Sequence, residues 1–345
     1  MDIVSRLQPH TVQIYHLENG SVEERVMTAR QLLSPSRFDL FAKLYYIRNR
    51  EHNKEEALKV YKEHIKAFNP DLKEPGRDDK SGYEDFITAF DRLIECFTSK
   101  EFDTSVSLVP VTEDNVILDG AHRVAALAYY DKSVGVALCR NIAPKVDFDY
   151  CYFKHRGTPW ETMDLIANEM VGYLPDVRVA CVWPRVTDKS FAVSQLRNGF
   201  KIIYEKSVMV SMQSFRELIA LVYMNQPWTN HPESLNDKAM QCFGFNREVV
   251  FVFFVAERQA DVPAVKETIR DRCGVGKHSV HITDSADETR AIAAFVLLEP
   301  EYEKWNKKTR TNRFLERMKE RWFYCKTVRL INLKVAVARV LRIGK

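Results

Sequence analysis

Residues 116–123 read Val-Ile-Leu-Asp-Gly-Ala-His-Arg, and this segment constrains the fold more than any other in the chain. The apolar residues 116–118 predict a buried strand, and Gly120 permits a backbone turn that other residues disfavour. Residues 124–130, which are apolar or aromatic, predict a helix. The order of strand, tight turn and helix places His122 and Arg123 in or beside the first helical turn.

The amino end of a helix favours an anion, because its first backbone N–H groups lack partners and the helix dipole is positive there. An arginine and a histidine at this position predict a phosphate site. Asp119 would repel phosphate unless a metal ion or a proton lay between them, so we expect it to handle Mg²⁺ or a hydroxyl group. The alternative is that Asp119 caps the helix and that both basic side chains are solvated.

Residues 86–138 resemble the core of the ParB/sulfiredoxin superfamily: a helix at 86–97, a strand ending in Val-Pro-Val at 109–111, a hairpin turn at 113–115, and then the turn and helix above. Sulfiredoxins carry a reactive cysteine where this chain has Ala121. ParB-type proteins continue into a helix-turn-helix, which is not found after residue 140. Free-serine kinases carry Asp-Gly-x-His-Arg, and residues 119–123 match it at every fixed position.

The kinase resemblance implies that His122 and Arg123, with the backbone at Gly120 and Ala121, bind the phosphates of ATP. It implies that Asp119 acts at the reacting centre with Mg²⁺. These kinases use an upstream glutamate as the base, which corresponds to Glu74 here. The predicted catalytic residues are Asp119, Glu74 and His122, and Asp119 is the predicted metal ligand.

Phosphoryl transfer depends mainly on positioning and charge neutralisation, so Lys80 is a further candidate phosphate ligand. Glu74 and Lys80 both fall in the charged loop at residues 73–80, which contains Pro-Gly. The alternative is that both are solvated surface side chains.

The N-terminal part is predicted to be mainly helical. We expect a short strand at 11–17 and helices at 21–33, 38–48 and 55–68, the first of which begins with a capping signal, Ser21 followed by Glu24. Arg37, Asp39 and Lys43 lie near the start of one helix, where such charge pairs are typical of solvated surfaces.

Residues after about 155 predict a second, three-layer α/β domain with a largely parallel sheet. Strands are expected at 177–183, 201–204, 248–256 and 279–283, with helices at 214–224, 262–272 and 285–297. The run 249–255 is apolar on both faces and predicts a central strand. The surrounding pattern loosely resembles uncharacterised proteins of bacterial envelope-polysaccharide assembly, which implies no activity.

A second possible site lies in this domain. Strand alternation places His281 opposite Val280 and Ile282 and delivers Asp284 to the carboxyl end of its strand, where ligands bind in open α/β sheets. The candidate metal or proton ligands are His281, Asp284 and Glu288, and the candidate phosphate ligands are Lys206 and Lys238. The alternative is that Ser285 and Glu288 form a capping box and that His281 is an interior histidine.

Charge is distributed unevenly along the 345 residues. Residues 304–345 hold fourteen Lys and Arg against two acidic residues, a formal charge of +12, whereas residues 1–303 carry −8. This basic, aromatic-rich tail is typical of amphipathic helices that bind an anionic membrane surface; a polyanion or a partner protein are the alternatives. The acidic body argues against nucleic acid as a partner.

Seven cysteines without a Cys-x-x-Cys pair predict reduced thiols, and no signal peptide or long apolar run is found. We therefore expect a cytoplasmic protein, with a peripheral position on the inner membrane face as an option. The predicted domains are 1–155 (ParB/sulfiredoxin-like α+β with N-terminal helices), 156–303 (α/β) and 304–345 (basic tail).

The predicted function is an ATP- and Mg²⁺-dependent kinase that acts on a hydroxyl of a small metabolite, sugar or glycan in bacterial envelope glycan biosynthesis. One alternative is a nucleotide-switched ParB-like binding module without kinase activity. Another is a two-activity enzyme with a second phosphate- or sugar-handling site in residues 156–303.

Overall fold

The computed structural model of the protein describes residues 2–73, 81–259 and 261–298, which form two units divided between Pro175 and Asp176. This division falls about twenty residues after the predicted boundary at 155. The helix before it belongs to the first unit, because its buried Glu169 lies 3.2 Å from Arg48 in the same unit. The predicted basic tail lies outside the described residues.

The first unit combines seven α-helices with a three-stranded sheet in its described part. The helices are α1 (Pro9–Tyr15), α2 (Phe38–Asn49), α3 (Lys54–Phe68), α4 (Tyr83–Ser99), α5 (Ala121–Tyr129), α6 (Tyr150–His155) and α7 (Trp160–Tyr173), and the strands are β1 (Val22–Thr28), β2 (Val109–Val111) and β3 (Ser133–Cys139).

The sheet of the first unit has the order β1-β3-β2, with β3 in the centre. Strand β1 is antiparallel to β3, while β2 is parallel to it. Helix α5 lies in the connection from β2 to β3 and contacts both β3 and α2. Parallel neighbouring strands require such a crossover connection, and α5 is the helix that provides it here.

The predicted helices at 38–48, 55–68, 86–97 and 124–130 are confirmed, as is the strand that ends at Val111. The predicted strand at 11–17 is wrong: it is helix α1, and Pro9 at its first position favours helix initiation. The predicted helix at 21–33 is also wrong, because residues 22–28 pair along β3 and this long-range pairing overrides the local capping signal.

The segment 116–118 forms less strand than predicted. Ile117 makes a single antiparallel bridge to Val111, and the Leu118 N–H donates to the Pro110 carbonyl at 2.9 Å. The predicted turn at 113–115 is present, with Asn115 in the left-handed region at φ 59°. The short hairpin of residues 111–118 still connects β2 directly to the turn before α5.

The second unit contains four strands and five α-helices in its described part. The strands are β4 (Val177–Val182), β5 (Lys201–Met209), β6 (Glu248–Val255) and β7 (Val280–Ile282), and the helices are α8 (Lys189–Gly199), α9 (Met212–Val222), α10 (Pro232–Cys242), α11 (Asp261–Cys273) and α12 (Ala286–Ala293).

The sheet of the second unit has the order β5-β6-β4-β7, and all of its pairs are antiparallel. The predicted parallel sheet is therefore wrong, although β6 is an interior strand as expected. An apolar strand indicates that helices cover both faces, and here they do so over an antiparallel sheet. Leu196 of α8 and Ile269 of α11 pack on one face with Phe254, whereas α9 and α12 lie on the other.

No helix in the described ranges is both long enough and apolar enough to cross a membrane. The six cysteines in these ranges are free thiols, as predicted.

Gly135 of β3 provides a test of the packing beside β2. An added Cβ would lie 2.5 Å from Cγ2 of Thr104 and 2.9 Å from Cδ2 of Leu108. We expect Gly135→Ala to lower the free energy of unfolding by about 1–3 kcal/mol through overpacking, measured by urea unfolding. Gly172→Ala is the matched control: the site in α7 is open, so this change should be neutral or stabilise by about 0.5 kcal/mol. Equal effects of the two substitutions on the free energy of unfolding would contradict the close packing around Gly135.

Candidate phosphate site at the start of α5

Residues 119–123, here called the α5 turn, join the hairpin after β2 to helix α5. Gly120 is the N-cap residue, with φ 84° and ψ 23° in the left-handed region. The N–H of Val124 is the first in the helix to bond a carbonyl, that of Gly120, at 3.0 Å. The N–H groups of residues 121–123 therefore lack an acceptor within the helix, and Gly120 has no side chain to cap them.

Arg123 folds back over the turn. Its Nη2 lies 3.5 Å from Oδ2 of Asp119, and its Nη1 donates to the Leu108 carbonyl at 3.4 Å. Burial lowers the pKa of this guanidinium and Asp119 partly offsets the effect, but an arginine remains charged in either case. The turn therefore holds a half-buried cation beside the helix amides.

Besides its positive φ, Gly120 leaves room for the side chain of Arg123. A Cβ at this position would lie 2.8 Å from Nη2 of Arg123 and 3.2 Å from Cγ2 of Val109. A larger residue would require the guanidinium of Arg123 to shift from this position. The alternative that Asp119 caps the helix is wrong, because Gly120 occupies the cap and Asp119 pairs with Arg123.

His122 points toward an aromatic wall formed by α3 and α4. Its Nε2 lies 2.9 Å from the Tyr61 hydroxyl, and its ring meets that of Phe90 edge-on at 4.7 Å. The Tyr61 hydroxyl also lies 3.4 Å from the Phe86 carbonyl. Because this carbonyl can only accept, a hydroxyl that donates to it accepts from Nε2–H of His122. The imidazole is thus anchored and half-buried, not solvated.

A network of buried ionisable side chains, here called the Asp39 network (Arg37, Asp39, Lys43 and His64), adjoins the turn. Arg37 binds both oxygens of Asp39, at 2.8 and 2.9 Å. Lys43 lies 2.9 Å from the second of these oxygens and 3.2 Å from Nε2 of His64. Although burial alone would raise the pKa of Asp39, these two cations hold it far below its usual value.

The network reaches the α5 turn from two sides. Nη1 of Arg37 donates to the Ile117 carbonyl at 2.6 Å, two residues before Asp119. Nδ1 of His64 donates to the Tyr61 carbonyl at 2.7 Å, and Tyr61 contacts His122. Nε2 of His64 is therefore unprotonated and accepts from Lys43, and burial together with Lys43 lowers the pKa of His64 well below its usual value.

The interpretation of Arg37, Asp39 and Lys43 as solvated surface charges is wrong. All ten residues 38–47 of α2 are buried, so no face of this part of the helix is left for solvent. The signal was available in the sequence, because apolar residues surround this helix on every side, and a charged residue in such a helix must be buried. Tyr61 and His64 had no comparable local signal.

The predicted residues of the first site fall into two groups. Asp119, Gly120, Ala121, His122 and Arg123 are half-buried together at the α5 turn. Glu74 and Lys80 lie outside the described residues. Within the described ranges, no group of three or more His, Cys, Asp or Glu side chains is arranged to hold a metal ion.

The second predicted site is brought together in part. Nε2 of His281 lies 2.6 Å from Oε1 of Glu288 in α12, and the buried imidazole lies on the face opposite Val280 and Ile282, as the alternation predicts. Asp284 is exposed and contacts Lys266 at 4.0 Å. The argument that places Asp284 at a ligand-binding strand end is wrong, because it applies to parallel sheets.

The two lysines predicted for the second site lie on different elements. Lys206 is within β5, not at its end, and its Nζ donates to the Val296 carbonyl at 3.1 Å. Lys238 of α10 lies over the ring of Tyr223, and this ring meets His281 edge-on at 5.0 Å. The predicted capping interaction is present in altered form: Ser285 Oγ accepts from the Glu288 N–H, but Glu288 accepts from the Asp284 N–H.

Comparison of the chain with models of known protein families and with curated proteins found no match.

Replacement of Asp39 tests the buried network. Asp39→Asn removes the charge that compensates Arg37 and Lys43, so we expect a loss of about 3 kcal/mol or more in the free energy of unfolding. Glu101→Gln is the matched control, because Glu101 pairs with Lys132 on the surface of the same unit and should cost less than about 1 kcal/mol. Urea unfolding measures both. A similar, small cost for the two variants would contradict the proposed role of Asp39.

Proposed function

We propose that the first unit is an ATP-dependent kinase that transfers the γ-phosphoryl group to a hydroxyl of a small metabolite or sugar. The observation that carries this proposal is the α5 turn, where the first amides of a helix, a half-buried guanidinium and an anchored imidazole lie together. Such a concentration of donors around a positive helix end favours a phosphate group.

Each residue of the turn has a role in this proposal. Arg123 and the first amides of α5 bind nucleotide phosphates and neutralise the charge that develops during transfer. His122, held by Tyr61, orients a phosphate oxygen. Asp119 lies at the edge of the site, with about one third of its side chain exposed, beside the cation that would meet the phosphate.

Mg²⁺ is compatible with this arrangement. The ion usually takes one or two protein carboxylates and completes its coordination with substrate phosphates and water, so Asp119 alone is an adequate protein ligand. When bound, the ion would neutralise phosphate charge. No set of three protein ligands is needed, which agrees with their absence from the described ranges.

Transfer requires the acceptor oxygen to bond to the γ-phosphorus while the bond from that phosphorus to the β,γ-bridging oxygen breaks. ADP leaves with the bridging oxygen, and the acceptor proton passes to a base. In this proposal Glu74 is the base, as the resemblance to free-serine kinases implies, and Lys80 is a further phosphate ligand. Both lie outside the described residues.

The proposal includes a ParB/sulfiredoxin-type fold for the first unit. It is supported by the order of elements along the chain, in which β2 is followed by a turn, by α5 and by β3, which is parallel to β2. It also includes a peripheral position at an anionic membrane surface, supported by the charge of residues 304–345. Lipid-linked glycan precursors at that surface would supply hydroxyl acceptors.

Arg123 gives the most direct test by mutation. We expect Arg123→Ala to lower kcat/KM for phosphoryl transfer from radiolabelled ATP by about 100-fold, because a single charge-stabilising donor has an effect of this size. Arg140→Ala is the matched control, since Arg140 is a surface arginine of the same unit paired with Glu23. Arg123→Lys separates charge from fork geometry and should recover part of the activity. Unchanged turnover in a folded Arg123→Ala protein would refute the phosphate site.

Asp119→Asn tests the metal dependence. The Asp119 carboxylate repels phosphate and also occupies Arg123, so its removal should tighten the binding of metal-free ATP by about tenfold and abolish transfer. Isothermal titration calorimetry with and without Mg²⁺ measures the affinities, with wild-type protein as the reference. If the variant bound metal-free ATP as weakly as the wild-type chain, Asp119 would have no part in the site.

A further inference from the structure

A second group of polar side chains in the second unit, here called the Lys238 cluster, consists of Lys238, Lys277, His278 and Tyr223. Nζ of Lys238 donates to the Lys277 carbonyl at 3.1 Å and lies 3.5 Å from Nδ1 of His278. The same ammonium lies over the Tyr223 ring, 5.2 Å from its centroid. The ring of Trp228, also 5.2 Å from that of Tyr223, continues this aromatic surface.

Positive charge accumulates in the cluster without a matching carboxylate. Within the described residues, neither Lys238 nor Lys277 forms an ion pair with a carboxylate. Burial lowers the pKa of Lys238, the Cys242 thiol beside it partly offsets this, and the charges of Lys277 and Arg270 lower it further. Lys238 is half-buried, whereas Lys277 is exposed. A half-buried cation such as Lys238 normally has a counter-ion, because burial of an unpaired charge is costly.

His278 supplies a neutral donor between these cations. Burial, followed by the charges of Lys238, Lys277 and Arg185, lowers its pKa to about 4, so the imidazole is neutral at physiological pH. Nδ1 lies 3.5 Å from Nζ of Lys238, which can only donate, and 3.8 Å from Sγ of Cys242, so Nδ1 accepts and Nε2 carries the proton. The Nε2–H group is then a hydrogen-bond donor that adds to the two ammonium groups.

We propose that Lys238, Lys277 and His278 bind the phosphate group of a small phosphorylated molecule, whose organic part lies against Trp228 and Tyr223. Lys238 contacts the half-buried imidazole of His278, and Lys277 precedes His278 in the chain, an arrangement that suits a compact anion better than a polymer. A phosphate monoester offers three acceptor oxygens to these donors. An aromatic surface beside them suits the apolar face of a sugar ring or a nucleobase.

This site differs from the one predicted from sequence in the same unit. Lys238 belongs to both sites. Of the other predicted residues, Lys206 donates to the Val296 carbonyl and Asp284 is exposed. His281 and Glu288 satisfy one another behind Tyr223 and support its ring. Lys277 and His278 directly precede the strand of His281, whereas Trp228 comes from a segment that the sequence does not connect with it.

The test is a calorimetric titration of the full chain carrying Arg123→Ala, which removes the proposed site of the first unit. The probes are inorganic phosphate, glucose 6-phosphate and, as the uncharged reference, glucose. We expect saturable binding of both phosphates, tighter for the sugar phosphate, and none for glucose. Lys238→Met in this background keeps the aliphatic stem and should weaken both phosphates by about tenfold or more, because a charge-assisted hydrogen bond is lost.

Lys266→Met is the matched control, because Lys266 is a half-buried lysine of the same unit that donates to a backbone carbonyl, that of Ile282. It should leave the phosphate affinity unchanged. Circular dichroism melting shows whether each variant is folded. Equal affinity of the Lys238→Met and Lys266→Met proteins, or no saturable phosphate binding before Lys238 is changed, overturns the proposal. Tighter binding of inorganic phosphate than of the sugar phosphate overturns the role of the aromatic surface. None of these results depends on the kinase proposal.

Discussion

The buried carboxylate of Asp39 is the constraint on which the first unit depends. It is fully shielded from water, so Arg37 and Lys43 must both remain beside it. Their remaining donors then fix other parts of the chain: Arg37 holds the carbonyl of Ile117, and Lys43 meets His64 of α3. Because Ile117 precedes the α5 turn and α3 carries the tyrosine that contacts His122, one charge arrangement positions both sides of the proposed phosphate site.

Charge is used differently in the two units. In the first, cations compensate a buried anion, and Arg123 stands beside helix amides with Asp119 as its partner. In the second, Lys238 and Lys277 lie together around a neutral imidazole, and the described residues offer them no carboxylate within ion-pair distance. In the first unit the role of the cations is structural, because they compensate a buried anion. In the second, the two cations have no such anion among the described residues, and this is the basis on which we propose a binding site there.

Local sequence pattern predicted the helices that bury one apolar side, such as α3 and α4, and the strands of the second unit. It did not predict β1, whose capping-like residues pair with β3 instead, or the direction of the strands around β6, because both depend on pairing between distant segments. The α5 turn could be found because its residues are contiguous. Tyr61 and His64 contact it through helix packing, which cannot be predicted from the spacing of residues. Burial of Asp39, in contrast, could be predicted from the apolar residues that surround it in α2.

The proposal that the α5 turn binds nucleotide phosphates is the central claim, and the backbone amides of residues 121–123 report on it most directly. Titration of isotope-labelled full-length protein with a non-hydrolysable ATP analogue and Mg²⁺, followed by amide nuclear magnetic resonance, should shift these three signals first and most strongly, since phosphate oxygens would accept from them. Saturable binding of the analogue that shifts other signals and leaves the signals of these three amides unchanged would contradict the claim.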